Sequence, residues 1–143
     1  MSLILGIDPG ANTGVATYVD GQLTNLETFG PHQLEHLLRT REPTRVIFED
    51  SRLQSHVFSA KSKLSVPARL KVARDVGEID AWCSLITAVC AELGISAHGI
   101  SPQGKGAKLN AAQFASVTSW VGKSNEHTRD AAMVAWKYRG ART

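Results

Sequence analysis

The stretch that decides the fold is residues 3–14, LILGIDPGANTG. Its apolar run Leu3–Asp8 ends in an acid and is followed at once by the turn signal Pro9-Gly10, a pattern typical of a buried strand. Further along, the pair Asp20-Gly21 predicts a tight hairpin turn. This turn joins two more predicted strands, Thr13–Val19 and Leu23–Phe29. The start of the chain therefore predicts three consecutive strands, the first of which ends in a carboxylate.

The rest of the chain alternates between predicted helices and strands. A short helix begins after Gly30-Pro31, and a long helix is predicted over Ala68–Leu93, because apolar residues recur at helical spacing and Gly94 is a good terminator. The other predicted elements are strands over Arg45–Glu49 and Ile95–Ile100 and helices over Asn110–Val121 and Thr128–Arg139. This order predicts an α/β fold with a mixed five-stranded sheet and helices on both faces.

Length and composition suit one globular domain spanning residues 1–143. Of the 143 residues, 43% are hydrophobic and 20% are charged, the balance of an ordinary globular protein. The apolar stretch Leu3-Ile4-Leu5 is far too short to span a membrane, and it lacks the flanks of a signal peptide. We therefore expect a cytoplasmic protein with no membrane partner.

Two cysteines, Cys83 and Cys90, fall on one face of the long predicted helix. Residues two helical turns apart are separated by about 10 Å, too far for a disulfide. We expect both to be buried free thiols.

The formal net charge of +3 conceals an asymmetry along the chain. Residues 1–50 carry 3 basic and 7 acidic side chains, whereas residues 51–143 carry 13 basic and 6 acidic ones. The stretches 51–74 and 93–125 contain no acid at all. Such stretches are often only solvated surface, but two of them in a chain this small favour a polyanionic partner.

Three acids stand where a purely structural role explains them poorly. Asp8 ends the first predicted strand, Glu49 ends the fourth, and Asp130 precedes two alanines on the last helix. Any one alone could be a turn former or a cap. Side chains at strand ends in α/β sheets converge on one crevice, however, and small alanines would let the helix bring Asp130 into it. Strand alternation points the neighbouring Asp50 to the opposite face, so we interpret it as a turn residue.

Crowded carboxylates repel one another unless cations neutralise them, and oxygen ligands of this kind bind Mg²⁺ or Mn²⁺. Two such ions about 4 Å apart can stabilise both the attacking and the leaving oxygen of phosphodiester hydrolysis. His127 lies three residues before Asp130, on the same helical face. It is a candidate fourth ligand or general base, although a lone histidine is more often structural.

These residues carry a resemblance to a known family. Residues 3–14, the strand Val46–Glu49 and the motif His127-x-x-Asp130-Ala131-Ala132 resemble the corresponding segments of RuvC-type Holliday-junction resolvases, in the same order along nearly the whole chain. The resemblance implies an RNase H-like fold and a homodimeric, Mg²⁺- or Mn²⁺-dependent endonuclease that cuts four-way DNA junctions. It implies a metal-binding set of four catalytic residues: Asp8, Glu49, His127 and Asp130.

Two departures from the family pattern concern DNA binding. Arg52 stands where many members place an aromatic residue that stacks on junction bases, and the family's lysine-bearing stretch is compressed into residues 104–108, GKGAK. We expect DNA contacts from the basic residues Arg52, Lys61, Lys63, Arg69, Lys71, Arg74, Lys105 and Lys108. A base-stacking role for Trp82 or Phe58 is left open, as are core or interface positions for Trp82, Trp120 and Trp136.

Other functions also fit parts of the sequence. The alternatives are an RNase H-like nuclease acting on flaps, duplex DNA or RNA, and a non-catalytic junction-binding protein that retains the fold. An ATPase of the actin-like branch would need a longer, two-lobed chain. The stretch from Gly99 to Lys105 matches most of a P-loop but lacks the hydroxyl residue that follows the lysine. The match of residues 32–36, HQLEH, to a zinc-protease motif is expected by chance.

Overall fold

The protein, here as a computed structural model, is described over residues 1–54, 65–104 and 106–140. The strands are β1 (Leu3–Asp8), β2 (Thr13–Val19), β3 (Gln22–Phe29), β4 (Arg45–Glu49) and β5 (Ser96–Ile100). The helices are α1 (Leu34–Arg41), α2 (Val66–Leu93), α3 (Ala111–Thr118) and α4 (Glu126–Trp136). No helix in these ranges is both long enough and apolar enough to cross a membrane.

The five strands form a single mixed sheet in the order β3-β2-β1-β4-β5. β2 runs antiparallel to both β1 and β3, whereas β4 is parallel to β1 and to β5. Asp20 and Gly21 both have positive φ, 49° and 85°, as a two-residue hairpin turn requires. The mixed five-stranded sheet predicted from the sequence is therefore confirmed, with β1 at its centre.

Helices cover both faces of the sheet, as predicted. On one face, Leu5 and Ile7 of β1 pack with the apolar sides of α1 and α2. On the other face, Ile4 of β1 and Ile47 of β4 pack with α4 and with Phe114 of α3. Alternate residues of β1 and β4 thus face different helices, and this alternation decides which way the strand-end acids point.

Two predicted helix starts were wrong by two residues, and capping explains both. α2 begins at Val66 rather than Ala68, because Ser65 accepts a hydrogen bond from the Ala68 amide and Pro67 fits the first turn, where its missing N–H needs no partner. α4 begins at Glu126 rather than Thr128, because Asn125 caps it.

The remaining boundary differences have similar local causes. α3 ends at Thr118 rather than Val121, because Ser119 adopts a left-handed conformation with φ 61°. β5 begins at Ser96 rather than Ile95, because the Ile95 amide still donates to the Cys90 carbonyl and completes the end of α2. β3 begins one residue earlier than predicted, and α4 ends at Trp136 rather than Arg139.

Cys83 and Cys90 are buried and not disulfide-bonded, as predicted. Burial raises the pKa of the Cys90 thiol to about 11, so it stays protonated at neutral pH. Both thiols lie on the core side of α2, and the Cys83 thiol also donates to the Glu49 carbonyl at 3.6 Å.

The helix α4 lies unusually close to the middle of the sheet. Two glycines of the sheet allow this approach: a Cβ on Gly6 would overlap the carbonyl oxygen of Ala131, and a Cβ on Gly14 would overlap that of His127. From the helix side, Ala131 and Ala135 are fully buried against the strands. Small residues on both partners therefore hold the start of α4 directly over β1 and β2.

We predict that Gly6→Ala lowers the free energy of unfolding by about 1–3 kcal/mol. The added methyl group would overlap the backbone of Ala131, which can move away only if α4 shifts. Equilibrium unfolding in urea measures the change. The matched control is Gly140→Ala, after α4, where a new Cβ meets nothing within 4 Å. That control should leave the stability unchanged to within about 0.5 kcal/mol. A Gly6→Ala variant as stable as the wild type would contradict the close packing of α4.

Candidate active site

Two acids lie side by side where β1 and β4 end. These strands run parallel, with Ile7 paired to Phe48, so the next pair in the same register is Asp8 and Glu49. Neighbours in a parallel pair point to the same face of the sheet. Ile7 and Phe48 face α2, so the two carboxylates face α4. The strands therefore present a pair of acids at one edge of the sheet.

The first turns of α4 bring a third acid and a histidine to the same edge. The side chain of Asn125 accepts a hydrogen bond of 2.9 Å from the Thr128 amide, and the Thr128 hydroxyl accepts one of 2.9 Å from the Asn125 amide. This reciprocal cap fixes the start of the helix, with His127 and Asp130 one turn apart. Asp130 is buried, with only 8% of its surface exposed.

All four predicted catalytic residues line one open pocket of about 290 Å³. The lining consists of Asp8, Pro9, Gly10, Ala11, Asn12, Glu49, Ile79, Lys108, His127 and Asp130. β1, β4 and α4 each supply part of the set, and the turn after β1 forms the rim. The structure therefore brings together residues that are separated by as many as 122 positions in the chain.

One basic residue, Lys108, also lines this pocket. Its ammonium nitrogen lies 3.5 Å from a carboxylate oxygen of Asp130. The lysine side chain is 66% exposed, so this pairing contributes little to stability. The sequence predicts that Lys108 contacts DNA, but nothing in the sequence indicates a place beside Asp130.

The chemistry of the four side chains fits a hard divalent cation, because three carboxylates and one imidazole are ligands that Mg²⁺ and Mn²⁺ accept. Among the described residues, no three His, Cys, Asp or Glu side chains are grouped closely enough to hold a metal ion as they stand. The donors share one pocket, so binding an ion requires their side chains to converge within it.

Asp50 directly follows β4 and is a turn residue, as predicted: its side chain caps the 3₁₀ turn Ser51–Leu53. Its carboxylate accepts hydrogen bonds from the Arg52 guanidinium at 2.9 and 2.8 Å and from the Arg52 amide at 3.1 Å. These bonds with the Arg52 guanidinium hold the pKa of Asp50 below its usual value. Arg52 also donates to Ser84 at 3.3 Å and to Thr87 at 2.9 Å on α2.

Arg52 was predicted to contact DNA, and its position changes that interpretation. Four of the hydrogen bonds that its guanidinium makes are directed at Asp50, Ser84 and Thr87 within the protein. A guanidinium has only five N–H groups, so little of its donor capacity is left for a phosphate. We therefore interpret Arg52 as a residue that ties the end of β4 to α2.

The other predicted DNA-contacting residues fall into two groups. Arg69, Lys71 and Arg74 lie on the first half of α2, where Arg74 is exposed and Lys71 forms an exposed ion pair of 2.9 Å with Asp75. Lys61, Lys63 and Lys105 lie outside the described residues, as does Phe58. The DNA contacts of both groups of basic residues stay predictions.

The P-loop-like stretch does not have the geometry of a phosphate-binding loop. In a P-loop, the helix begins directly after the lysine. Here Gly99 belongs to β5, and the next helix, α3, begins only at Ala111. A second chance match, the zinc-protease pattern of residues 32–36, begins before α1, and its Glu35 forms an exposed ion pair of 2.9 Å with Arg39.

Of the three tryptophans, Trp120 and Trp136 pack against the core on the α4 face, and Trp82 packs against the core on the α2 face. The indole nitrogen of Trp120 donates to the Lys123 carbonyl at 3.1 Å. The core interpretation of these residues therefore agrees with the structure.

The sequence did not single out several residues that the structure places at the site. Asn12 and Ile79 line the main pocket, and Gln54 lines a second pocket beside it. Ile79 was predicted only as part of the apolar face of α2. Gln54 follows a 3₁₀ turn in a segment with no periodicity, so no sequence signal was available for it.

Comparison with known proteins gives a fold but no family by sequence. No family model and no curated protein matches the chain. Among solved structures, RuvC from T. thermophilus in complex with a Holliday junction substrate has a TM-score of 0.63 at 15% identity, covering 96% of this chain and 92% of that one. A second Thermus thermophilus RuvC structure has a TM-score of 0.61 at 16% identity, covering 95% and 92%. The resemblance found in the sequence is thus confirmed at the level of the fold: the chain has the RNase H-like fold of RuvC.

Proposed function

We propose that this chain is a metal-dependent endodeoxyribonuclease that resolves four-way DNA junctions by paired symmetric nicks. The observation that carries the proposal is the pocket in which Asp8, Glu49, His127 and Asp130 meet on a RuvC fold. One of the similar RuvC structures contains a Holliday junction substrate. A strongly basic second part of the chain fits a polyanionic substrate of this kind.

Asp8, Glu49 and Asp130 are the proposed ligands for Mg²⁺ or Mn²⁺, with His127 as a fourth ligand or as a base for the attacking water. A bound divalent ion stabilises charge on the phosphate oxygens and lowers the pKa of a coordinated water. Two ions per site remain a prediction from the sequence. Lys108, the cation at the mouth of the pocket, can pair with Asp130 or with a phosphate that enters.

The DNA backbone is proposed to lie along the first half of α2 and over the mouth of the pocket. Arg69, Lys71 and Arg74 supply positive charge on the helix, and Lys108 supplies it at the pocket. Contacts of this kind release counterions, so binding should weaken steeply with salt. Lys61 and Lys63, which lie outside the described residues, are likewise proposed to contact the DNA backbone.

We predict that Asp8→Asn and Asp130→Asn each lower cleavage of a four-way junction by about 100-fold or more, because a catalytic metal ion contributes several kcal/mol to the barrier. Binding of the junction should be unchanged or tighter, since each change removes negative charge that repels phosphates. Cleavage of end-labelled junctions with Mg²⁺ or Mn²⁺, and gel-shift titration without metal, measure the two effects.

The matched control is Glu35→Gln, which neutralises an exposed carboxylate on α1. It should cut at the wild-type rate. Cleavage by Asp8→Asn or Asp130→Asn at that same rate would contradict the proposed site. Assaying flaps, duplex, single-stranded DNA and RNA in parallel separates a junction resolvase from another nuclease. Junction binding with no cleavage by the wild type would indicate a non-catalytic binding protein.

A second prediction concerns His127 and the choice of metal. Imidazole suits Mn²⁺ better than Mg²⁺, which prefers oxygen ligands in strict octahedral geometry. His127→Asp should therefore stay active and shift its preference toward Mg²⁺, whereas His127→Ala should lose most activity with both metals. Rates measured across a series of Mg²⁺ and Mn²⁺ concentrations give the preference. Normal cutting by the alanine variant with both metals would make His127 a structural residue.

We further propose that the protein works as a homodimer. One chain has one such pocket in its described part, so one protomer cuts one strand, whereas resolution needs two cuts in a substrate with two-fold symmetry. The proposed interface is the apolar surface of the first half of α2, and the basic residues of the same stretch are proposed to contact the DNA beside it. The fully buried residues of α2 lie between Cys83 and Cys90, while Val66, Leu70 and Val72 are 57%, 60% and 39% exposed. Apolar surface of this kind at the start of a 28-residue helix suits a partner helix.

We predict that sedimentation shows a particle of about twice 15.4 kDa and that Leu70→Glu shifts it to the monomer mass. Placing a charge in an apolar interface costs several kcal/mol unless the charge is paired. The control is Val121→Glu, a change at a 92% exposed position between α3 and α4. It should leave the dimer intact. A wild-type monomer that still makes paired nicks would rule out the dimer proposal.

A further inference from the structure

A separate pocket of about 320 Å³ lies beside the start of α4, toward the β3 edge of the sheet. Its described lining, here called the β3–α4 pocket, consists of Leu26, Thr28, Lys123, Ser124, Asn125 and Thr128. None of these residues lines the main pocket. The first turns of α4 nevertheless connect the two pockets, because they supply Thr128 to one and both His127 and Asp130 to the other.

The register of the sheet places the β3–α4 pocket close to the candidate active site. Asp8 pairs with Gly14 across β1 and β2, and Gly14 pairs with Thr28 across β2 and β3. Neighbouring strands are about 4.8 Å apart, so the backbones of Asp8 and Thr28 are separated by about 10 Å. DNA advances about 3.4 Å per nucleotide along its axis. A strand that is cut beside Asp8 can therefore reach the β3–α4 pocket with a phosphate about three nucleotides from the cut.

Two hydroxyl groups of the pocket, those of Thr28 and Ser124, each keep a hydrogen to donate. The Asn125 side-chain oxygen accepts from the Thr128 amide, so the Asn125 NH₂ group donates to the Thr28 hydroxyl at 3.1 Å. The Ser124 hydroxyl accepts from the Arg129 guanidinium at 3.0 Å, because a guanidinium can only donate. Neither hydroxyl donates to another described residue. Both O–H groups can therefore donate to a ligand.

Lys123 adds a positive charge to these donors. Its side chain is exposed and forms no ion pair with a described acid. Its backbone carbonyl accepts a hydrogen bond of 3.1 Å from the Trp120 indole, and Trp120 packs against the core. This bond anchors the segment that carries Lys123 and Ser124.

No acidic side chain is part of the described lining of this pocket. Glu27, the acid next to Thr28 on β3, points to the opposite face of the sheet and pairs with Arg41 at 2.6 Å. The Glu126 carboxylate lies 3.7 Å from a ring nitrogen of His127, which lines the main pocket. No residue outside the described ranges is Asp or Glu, so no acid is missing from the lining. Hydrogen-bond donors and a positive charge without an acid suit an anion.

We propose that the β3–α4 pocket binds a backbone phosphate of the DNA junction, other than the phosphate that is cut. The proposal rests on the proposed nuclease function and deepens it. Lys123 supplies the charge, and the hydroxyl groups of Thr28 and Ser124 donate to the phosphate oxygens. Phosphate contacts fix the register and orientation of a protein on DNA without reading its sequence. This contact would hold the substrate strand across the start of α4 and position the bond to be cut over the carboxylates.

The first test measures binding of the wild type to four-way junctions without metal, so it does not depend on cleavage. The phosphates near the cut are replaced one at a time by uncharged methylphosphonates. One replacement away from the cut phosphate should weaken binding by about fivefold, the loss expected for one charged hydrogen-bonded contact. Lys123→Ala should bind the unmodified junction more weakly by a similar factor and should no longer respond to that replacement.

The second test measures how junction binding depends on salt. Lys123→Ala should reduce the slope of log affinity against log salt concentration by about 0.9, the value for one neutralised phosphate. Lys123→Arg keeps the charge and should keep both the slope and the response to the methylphosphonate. The matched control is Lys137→Ala, which removes an exposed lysine beyond the other end of α4 and should bind like the wild type.

An unchanged slope and an unchanged methylphosphonate response in Lys123→Ala would overturn the proposal. An equal loss of binding in Lys137→Ala would also overturn it, because the effect would then follow from net charge alone. So would a wild type with no sensitive phosphate besides the one that is cut, since the pocket would then hold only a free anion or none. Each of these results leaves the nuclease function intact, because the loss of cleavage in Asp8→Asn tests that function separately.

Discussion

The position of the candidate site depends on how closely α4 lies against the sheet. Gly6 and Gly14 leave no side chain between the strands and the helix, and Ala131 and Ala135 leave almost none from the other side. Close packing of this kind fixes the position of α4, because a shift by the width of a methyl group would either open a gap or make the two backbones overlap. The same contact brings Asp130 and His127 over the ends of β1 and β4. Packing of α4 against the sheet therefore sets the geometry of the candidate site.

The charges of the acids oppose this arrangement, and the same charges suit it to binding a cation. Three carboxylates around one pocket repel one another, so the packing of α4 has to compensate for an unfavourable charge distribution. A divalent ion bound between these carboxylates would neutralise their charge, and it would lie where a phosphate enters. Lys108, 3.5 Å from Asp130, shows that the pocket also attracts a protein cation. Sites that are costly to the folded state and open to solvent in this way are typical of catalysis.

Much of this could be predicted from the sequence where the signal is local or periodic. Three local signals allowed the prediction, because each depends on neighbouring residues. The apolar run before Asp8 and the Asp20-Gly21 turn predicted the strands, and the alanines after Asp130 predicted the close helix. The role of Arg52 could not be predicted, since Ser84 and Thr87 lie more than 30 residues away. Helix ends were misplaced where side-chain caps decided them. The pocket that Gln54 lines, formed by four separate segments, has no signature in the sequence at all.

The measurement that tests the account most directly is Mn²⁺ binding by isothermal titration calorimetry, which needs no DNA and no turnover. The account predicts that the wild type and Glu35→Gln bind Mn²⁺ alike, and that Asp130→Asn binds it at least about tenfold more weakly, because it loses a ligand from the pocket. The fitted stoichiometry would show whether one or two ions are held. Equal affinity in the wild type and in Asp130→Asn, or no binding by the folded wild type, would contradict the claim that α4 completes a metal site at the ends of β1 and β4.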